Sequence, residues 1–247
     1  MVPRTTFNHE MDELNREITE MANASKTAIE KAVQMIADMD LSLREEVAEL
    51  DARIYVLNGQ IDKHCLDIIA LHSPVASDLR MISACLKMVE DLNRFGRYAR
   101  DIAELIDDFE EGKAFKKFES LRNIACLVVG LVDDAVYSFL QRDAEKASHL
   151  HERDDAVDAL YDTIFREILT YMMEDPKKIT VGIDLILVAR YMERVADHAC
   201  NIGEYVYYMV TGERLDPKVR VGHVEQNITA CQRLFDHPCP KHELDEK

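Results

Sequence analysis

Apolar residues recur every three or four positions along most of the chain, which is the period of amphipathic α-helices. This spacing predicts six long helices, over residues 6–38, 41–71, 75–110, 115–140, 142–173 and 177–211. Proline marks two of the predicted helix starts. Ser73 before Pro74 and Asp175 before Pro176 each resemble an N-cap followed by proline at the first helical position. The pattern therefore predicts an all-α protein.

The second half of the chain repeats the first. Segment 92–104 reappears as 192–204, and segment 51–57 reappears as 154–160 with its apolar positions kept. Each copy is a unit whose apolar face has to be buried against its own bundle. The repeat therefore predicts two tandem three-helix bundles.

We assign residues 1–113 to the first bundle and 114–213 to the second. From Thr211 onward the helical period weakens, and residues 214–247 are expected to form a loosely ordered C-terminal tail.

The two halves differ in their acidic residues. The second half carries two pairs of acids spaced four apart, which places each pair on one helix face: Asp154 with Asp158, and Glu193 with Asp197. The corresponding residues of the first half are Asp51, Tyr55, Asn93 and Arg97. The second bundle is thus the candidate for a metal site, which the first bundle has lost.

Carboxylates in the seam of a helical bundle cost several kcal/mol of desolvation unless a cation accompanies them. Carboxylate ligands suit hard cations such as Mg²⁺, Mn²⁺, Ca²⁺ or iron, and a nearby imidazole such as His198 favours iron or zinc. The alternative is structural. Glu193 then pairs with Arg194, Arg190 or Arg153, and the aspartates coat a solvated helix face.

The net charge of −17, from 47 acidic and 30 basic residues, excludes a nucleic-acid function that depends on neutralising phosphates. The longest strictly apolar run, 124–132, is too short to span a bilayer, and no export signal precedes it. We therefore expect a cytoplasmic protein without membrane insertion.

Six cysteines without paired spacing indicate reduced thiols. The tail residues Cys231, His237, Cys239 and His242 offer metal donors, but their spacing fits no standard zinc finger. Four other histidines are expected to be helix-cap or surface groups: His64, His72, His149 and His151. The chain has no Glu-x-x-His or Gly-x-Ser-x-Gly motif, which disfavours a di-iron oxidase and a serine hydrolase.

Residues 74–94, which begin Pro-Val-Ala-Ser-Asp-Leu-Arg and include Cys-Leu-Lys-Met, resemble the motif of the PhoU family, regulators of phosphate uptake. Residues 193–197, Glu-Arg-Val-Ala-Asp, match the Glu-Arg-x-x-Asp core of that family, whereas residues 93–97 do not. The resemblance covers about residues 6–213. It implies paired three-helix bundles with iron or zinc clusters, ligated in this chain by Asp154, Asp158, Glu193 and Asp197.

The same resemblance implies a non-enzymatic adaptor that negatively regulates high-affinity phosphate uptake and phosphate signalling. The implied partners are the cytoplasmic ATPase subunit of a phosphate ABC transporter and a sensor kinase, and the implied assembly is a homodimer. Two alternatives remain open: a metal-dependent phosphoester hydrolase, and a structural helical protein whose acids bind nothing specific.

Arginine is the natural substitute for a metal ion beside a carboxylate, since its guanidinium keeps its charge and binds carboxylates bidentately. We therefore expect Arg97 to face Asp51 across the first bundle in place of the lost ion. The alternative is that Arg97 and Arg100 extend to solvent from the flank of the helix.

Overall fold

The structure is a computed structural model that describes residues 4–38, 40–105 and 119–216. The first bundle comprises three helices: α1 (Arg4–Asp38), α2 (Arg44–His72) and α3 (Ser77–Leu105). The second comprises α4 (Glu119–Gln141), α5 (Ala144–Ser148), α6 (Leu150–Glu174) and α7 (Ile179–Thr211). Short 3₁₀ turns at Leu41–Leu43 and Pro176–Lys178 precede α2 and α7, and the described ranges contain no strand. The predicted all-α fold of two tandem three-helix bundles is confirmed.

The boundary that we place at residues 113 and 114 lies outside the described residues, as do residues 217–247 with the Cys231, His237, Cys239 and His242 group.

The helix α3 has two buried faces because it packs against α1 and α2 on one side and against α7 on the other. Ile82, Cys85, Val89 and Phe95 are fully buried along it. The helix α7 likewise contacts α4, α5 and α6 as well as α3. The two bundles thus share one continuous apolar core, with α3 and α7 at its centre.

The predicted helix over 142–173 is interrupted. Asp143 caps α5 by accepting a hydrogen bond from the Lys146 amide at 2.9 Å, and α5 ends at Ser148 because the backbone of His149 leaves the helical region. The chain then restarts as α6. The junction packs against Gly203 of α7, which leaves room for Leu150 and for the Ala147 carbonyl oxygen.

One of the two predicted proline caps is confirmed. Asp175 accepts a hydrogen bond from the Lys177 amide at 3.0 Å, with Pro176 at the first position of the 3₁₀ turn. The prediction for Ser73 is wrong. Ser73 adopts a left-handed conformation (φ 49°) that ends α2, and α3 begins only at Ser77.

The helix α4 is long and apolar enough to cross a membrane by length and composition, with a mean hydropathy of 1.6 over its most apolar window. Half of that window is buried within the protein. Its buried side, which includes Leu121, Ile124, Val128 and Leu131, belongs to the shared core. The hydropathy of α4 is therefore that of a helix packed inside the bundle.

The close approach at Gly203 predicts a destabilising effect of Gly203→Ala. The added Cβ would lie 2.9 Å from the Ala147 carbonyl oxygen and 2.6 Å from Leu150 Cδ1, and the backbone carbonyl cannot move away independently. We expect overpacking of about 1–3 kcal/mol, which exceeds the gain of about 1 kcal/mol from replacing a helical glycine. Urea unfolding measures the difference.

Gly59→Ala is the matched control, because a Cβ at this exposed position of α2 would meet nothing within 4 Å. It should raise the free energy of unfolding by up to about 1 kcal/mol. Equal stabilisation by both substitutions would contradict the tight packing at Gly203.

Candidate metal centre

The neighbouring helices α6 and α7 bring Asp154, Asp158, Glu193 and Asp197 close enough to act on one another electrostatically. Glu193 is 9% exposed and Asp154 is half-buried, whereas Asp158 and Asp197 lie at the exposed side of the cluster. The predicted acid pairs therefore form one group, with its inner end in the seam between the helices. Their role as metal ligands remains a prediction.

Burial is the largest influence on the Asp154 carboxyl and, with the negative charges of Asp158 and Asp197, raises its pKa to about 7. The pKa of Glu193 is also raised, by burial and then by Asp197, while Arg190 acts in the opposite direction. Burial followed by Asp197 raises the pKa of Asp158. Burial and mutual repulsion thus oppose ionisation of Asp154, Glu193 and Asp158, and a bound cation would act in the opposite direction.

Arginine pairing satisfies only part of this cluster. Arg190 donates to Glu193 Oε1, as the structural alternative anticipates, whereas Arg153 donates to Asp134 of α4. Glu193 Oε2 and Asp154 Oδ1 are buried and have no hydrogen-bond partner among the described residues. Two buried carboxylate oxygens without donors fit a cation, so the residues present are suited to hold a metal ion.

A cleft of about 530 Å³ opens beside the inner end of the cluster. Its walls come from α3, α6 and α7: Tyr98, His151, Asp154, Arg190, Arg194, Asp197, His198, Cys200 and Asn201. The expected imidazole, His198, lines this cleft, but its Nδ1 lies 2.5 Å from Asp91 Oδ1 of α3 and bridges the two bundles.

Two further donors lie near Asp154. Single donor atoms of His151, Asp154 and Cys200 all lie within 4.8 Å of one another. The Cys200 sulfur lies within 4.8 Å of an Asp154 carboxylate oxygen, and burial strongly raises the pKa of the thiol. The sequence indicated a helix-cap or surface group at His151 and did not predict that this residue lies beside Asp154 and Cys200. Its position one helical turn before Asp154 was the available signal, since residues three apart share a helix face.

In the first bundle, an arginine side chain supplies the positive charge that the buried carboxylate requires. Asp51 of α2 is 8% exposed, and Arg100 Nη1 of α3 donates to its Oδ2 at 2.9 Å. The expectation that Arg97 pairs with Asp51 is wrong, because Arg97 points to the exposed side of α3. Arg100 lies nearly one turn further along, on the face that Gly96 opens to Asp51.

The repeat places the Asp51 site and the Asp154 site at corresponding positions of the two bundles. Asp51 corresponds to Asp154, and Arg100 corresponds to Cys200. The carboxylate therefore pairs with a permanent cation in the first bundle, whereas the second bundle has a thiol at the position that corresponds to Arg100.

Arg100→Met should destabilise the protein by about 1–3 kcal/mol, because it leaves the Asp51 carboxylate buried without its partner. Arg97→Met is the control and should change the free energy of unfolding by less than about 0.5 kcal/mol. Asp51→Asn combined with Arg100→Met should recover part of the loss. Equal effects of the two single substitutions in urea unfolding would contradict the Arg100 assignment.

Comparison with known proteins identifies the repeat. The family model described as "PhoU domain" matches the chain twice, over residues 18–106 and 121–206. A phosphate-specific transport system accessory protein PhoU homolog of Pseudomonas aeruginosa is 36% identical over 207 residues, covering 83% of this chain and 86% of the relative. The homolog of the same description from Aquifex aeolicus is 38% identical over 204 residues, covering 83% and 92%.

Solved structures of PhoU proteins have the same fold as this chain. The crystal structure of PhoU from Pseudomonas aeruginosa superposes with a TM-score of 0.78 at 34% identity, covering 84% of this chain and all of that one. The phosphate transport system regulatory protein PhoU from Streptococcus pneumoniae gives a TM-score of 0.77 at 27% identity, covering 85% and 99%. The doubled helical unit, the two family matches and the sequence identity along most of the chain show that this protein belongs to the PhoU family.

Proposed function

We propose that this chain is a non-enzymatic, cytoplasmic adaptor that negatively regulates high-affinity phosphate uptake and phosphate signalling. The observation that carries the proposal is the family membership, because the relatives are named as accessory proteins of the phosphate-specific transport system. The proposed partners are the cytoplasmic ATPase subunit of a phosphate ABC transporter and a sensor kinase, and the proposed assembly is a homodimer.

The proposal includes a metal site in the second bundle, with iron or zinc held by Asp154, Asp158, Glu193 and Asp197. Its support is the pair of buried oxygens, Asp154 Oδ1 and Glu193 Oε2, for which the described part of the chain supplies no hydrogen-bond donor. A bound cation supplies the positive charge that allows the carboxylates of α6 and α7 to lie together ionised. The site would thereby strengthen the contact between these helices.

Metal content tests this part of the proposal. Protein purified without affinity tag or chelator should contain iron or zinc at one or more ions per chain. The double variant Asp154→Asn, Glu193→Gln should lose it, while the control Glu45→Gln, Asp67→Asn, which alters two exposed acids of α2, should keep it.

Chelation should lower the unfolding midpoint of the wild type and of the control, but not that of the double variant. A metal-free wild type with an unchanged midpoint would show that the acids are paired internally or solvated. The structural alternative would then be correct for the site.

Complementation tests the regulatory role. In a bacterium whose own PhoU-family gene is deleted, the chain should lower phosphate uptake and the expression of phosphate-starvation genes, and it should be recovered with the transporter ATPase. Glu193→Gln should weaken both effects if the metal site maintains the adaptor. Turnover of a phosphoester by the metal-loaded protein, lost in Glu193→Gln, would instead support the hydrolase alternative.

A further inference from the structure

We propose that His151 and Cys200 join Asp154 as ligands of a zinc-type ion, so that the second bundle selects a borderline, sulfur-binding cation over hard cations such as Mg²⁺. This inference rests on the proposed metal site and specifies which ion it takes. The family pattern places ligands only at acidic positions. Imidazole and thiol donors at the inner end of the cluster are features of this chain's own residues.

The geometry suits one ion. The three donor atoms lie within 4.8 Å of one another. In a tetrahedral zinc site, bonds of about 2.0–2.3 Å hold the ligand atoms about 3.3–3.8 Å apart, so the donors have to approach by about 1 Å. Small side-chain movements therefore bring imidazole, carboxylate and sulfur to a common centre. Both helices contribute, since His151 and Asp154 belong to α6 and Cys200 belongs to α7.

The His151 imidazole has a carboxylate partner of the kind that metal-binding histidines use. His151 Nε2 lies 3.0 Å from Glu204 Oε1 of α7, and the His151 side chain is only 13% exposed. Histidines that bind metals generally donate their other ring N–H to a carboxylate, which fixes the tautomer and the ring orientation. Donation from Nε2 to Glu204 leaves the lone pair on Nδ1 for the ion.

Cys200 supplies the soft ligand. It is 2% exposed, and its sulfur lies within 4.8 Å of an Asp154 carboxylate oxygen. Binding breaks the S–H bond and forms a sulfur–metal bond, and the released proton passes to solvent through the cleft beside Asp154. No oxidation or reduction takes place. One charged thiolate then replaces the neutral thiol beside Asp154.

The donor set determines the ion. Thiolate, imidazole and carboxylate together favour zinc, whereas magnesium requires oxygen ligands in near-octahedral arrangement. The repeat shows that this donor set belongs to the second bundle alone. The positions of the first bundle that correspond to His151 and Cys200 hold Ala48 and Arg100, neither of which binds a metal ion.

Cobalt(II) tests the inference on the full-length, metal-free chain, because a thiolate bound to cobalt gives an intense charge-transfer band in the near ultraviolet. The wild type should show this band at one cobalt per chain, and equimolar zinc should abolish it while excess magnesium should not. Cys200→Ser should lack the band. The control Cys126→Ser, which removes an exposed thiol of α4, should retain it.

Glu204→Gln should weaken zinc binding about 10–100-fold while retaining the band, as expected for a residue that orients the ligand His151. His151→Gln removes a second proposed ligand. Circular dichroism of both ligand variants shows whether they are folded, so a folding defect of Cys200→Ser cannot decide the result alone. Loss of the band in folded Cys200→Ser, together with weaker cobalt binding by folded His151→Gln, supports the inference.

Three results would overturn it. Cobalt binding to the wild type without a thiolate band would leave the carboxylate site of the proposed function intact and remove the role of Cys200, on which the selection of a sulfur-binding ion depends. A band lost in Cys231→Ser, Cys239→Ser but kept in Cys200→Ser would assign it to the tail cysteines. A wild type that binds no cobalt or zinc would contradict both this inference and the proposed metal site.

Discussion

A carboxylate buried between two helices has to be accompanied by positive charge or by a proton, since unpaired it costs several kcal/mol. Both halves of this chain place an aspartate at that position, Asp51 on α2 and Asp154 on α6. The first half satisfies it with the guanidinium of Arg100. The second half gathers three more acids around it, and burial with their charges raises the pKa of Asp154 to about 7. The same fold thus contains one permanently neutralised site and one that is suited to bind a cation.

The position of the second site links it to the packing of the whole molecule. Its cleft includes Tyr98 of α3, whose ring stacks on Tyr191 and lies beside His198, both of α7. His198 in turn contacts Asp91 across the bundle interface. A cation at the proposed site would therefore bind α7, the helix through which the second bundle packs against α3.

Sequence reasoning was most accurate where the apolar period was long. Because a 3.6-residue period over thirty or more positions allows few alternatives, the helices and their repeat followed directly from the sequence. Errors occurred at ends and interruptions. Ser73 ends α2 through a left-handed backbone conformation instead of starting α3, and the predicted helix breaks at His149, where α5 and α6 meet beside Gly203. The spacing of the apolar residues marks neither position.

The sequence by itself determined the helical fold, the internal repeat and the acid pairs, because each follows from spacing along a single helix. Tertiary structure alone decided which residues of different helices meet. It selected Arg100 over Arg97 as the partner of Asp51, directed His198 to Asp91, and brought His151 and Cys200 to Asp154. The physical reason is that the rotation and separation of packed helices determine contacts between them, and helical periodicity specifies a face without specifying which partner lies opposite.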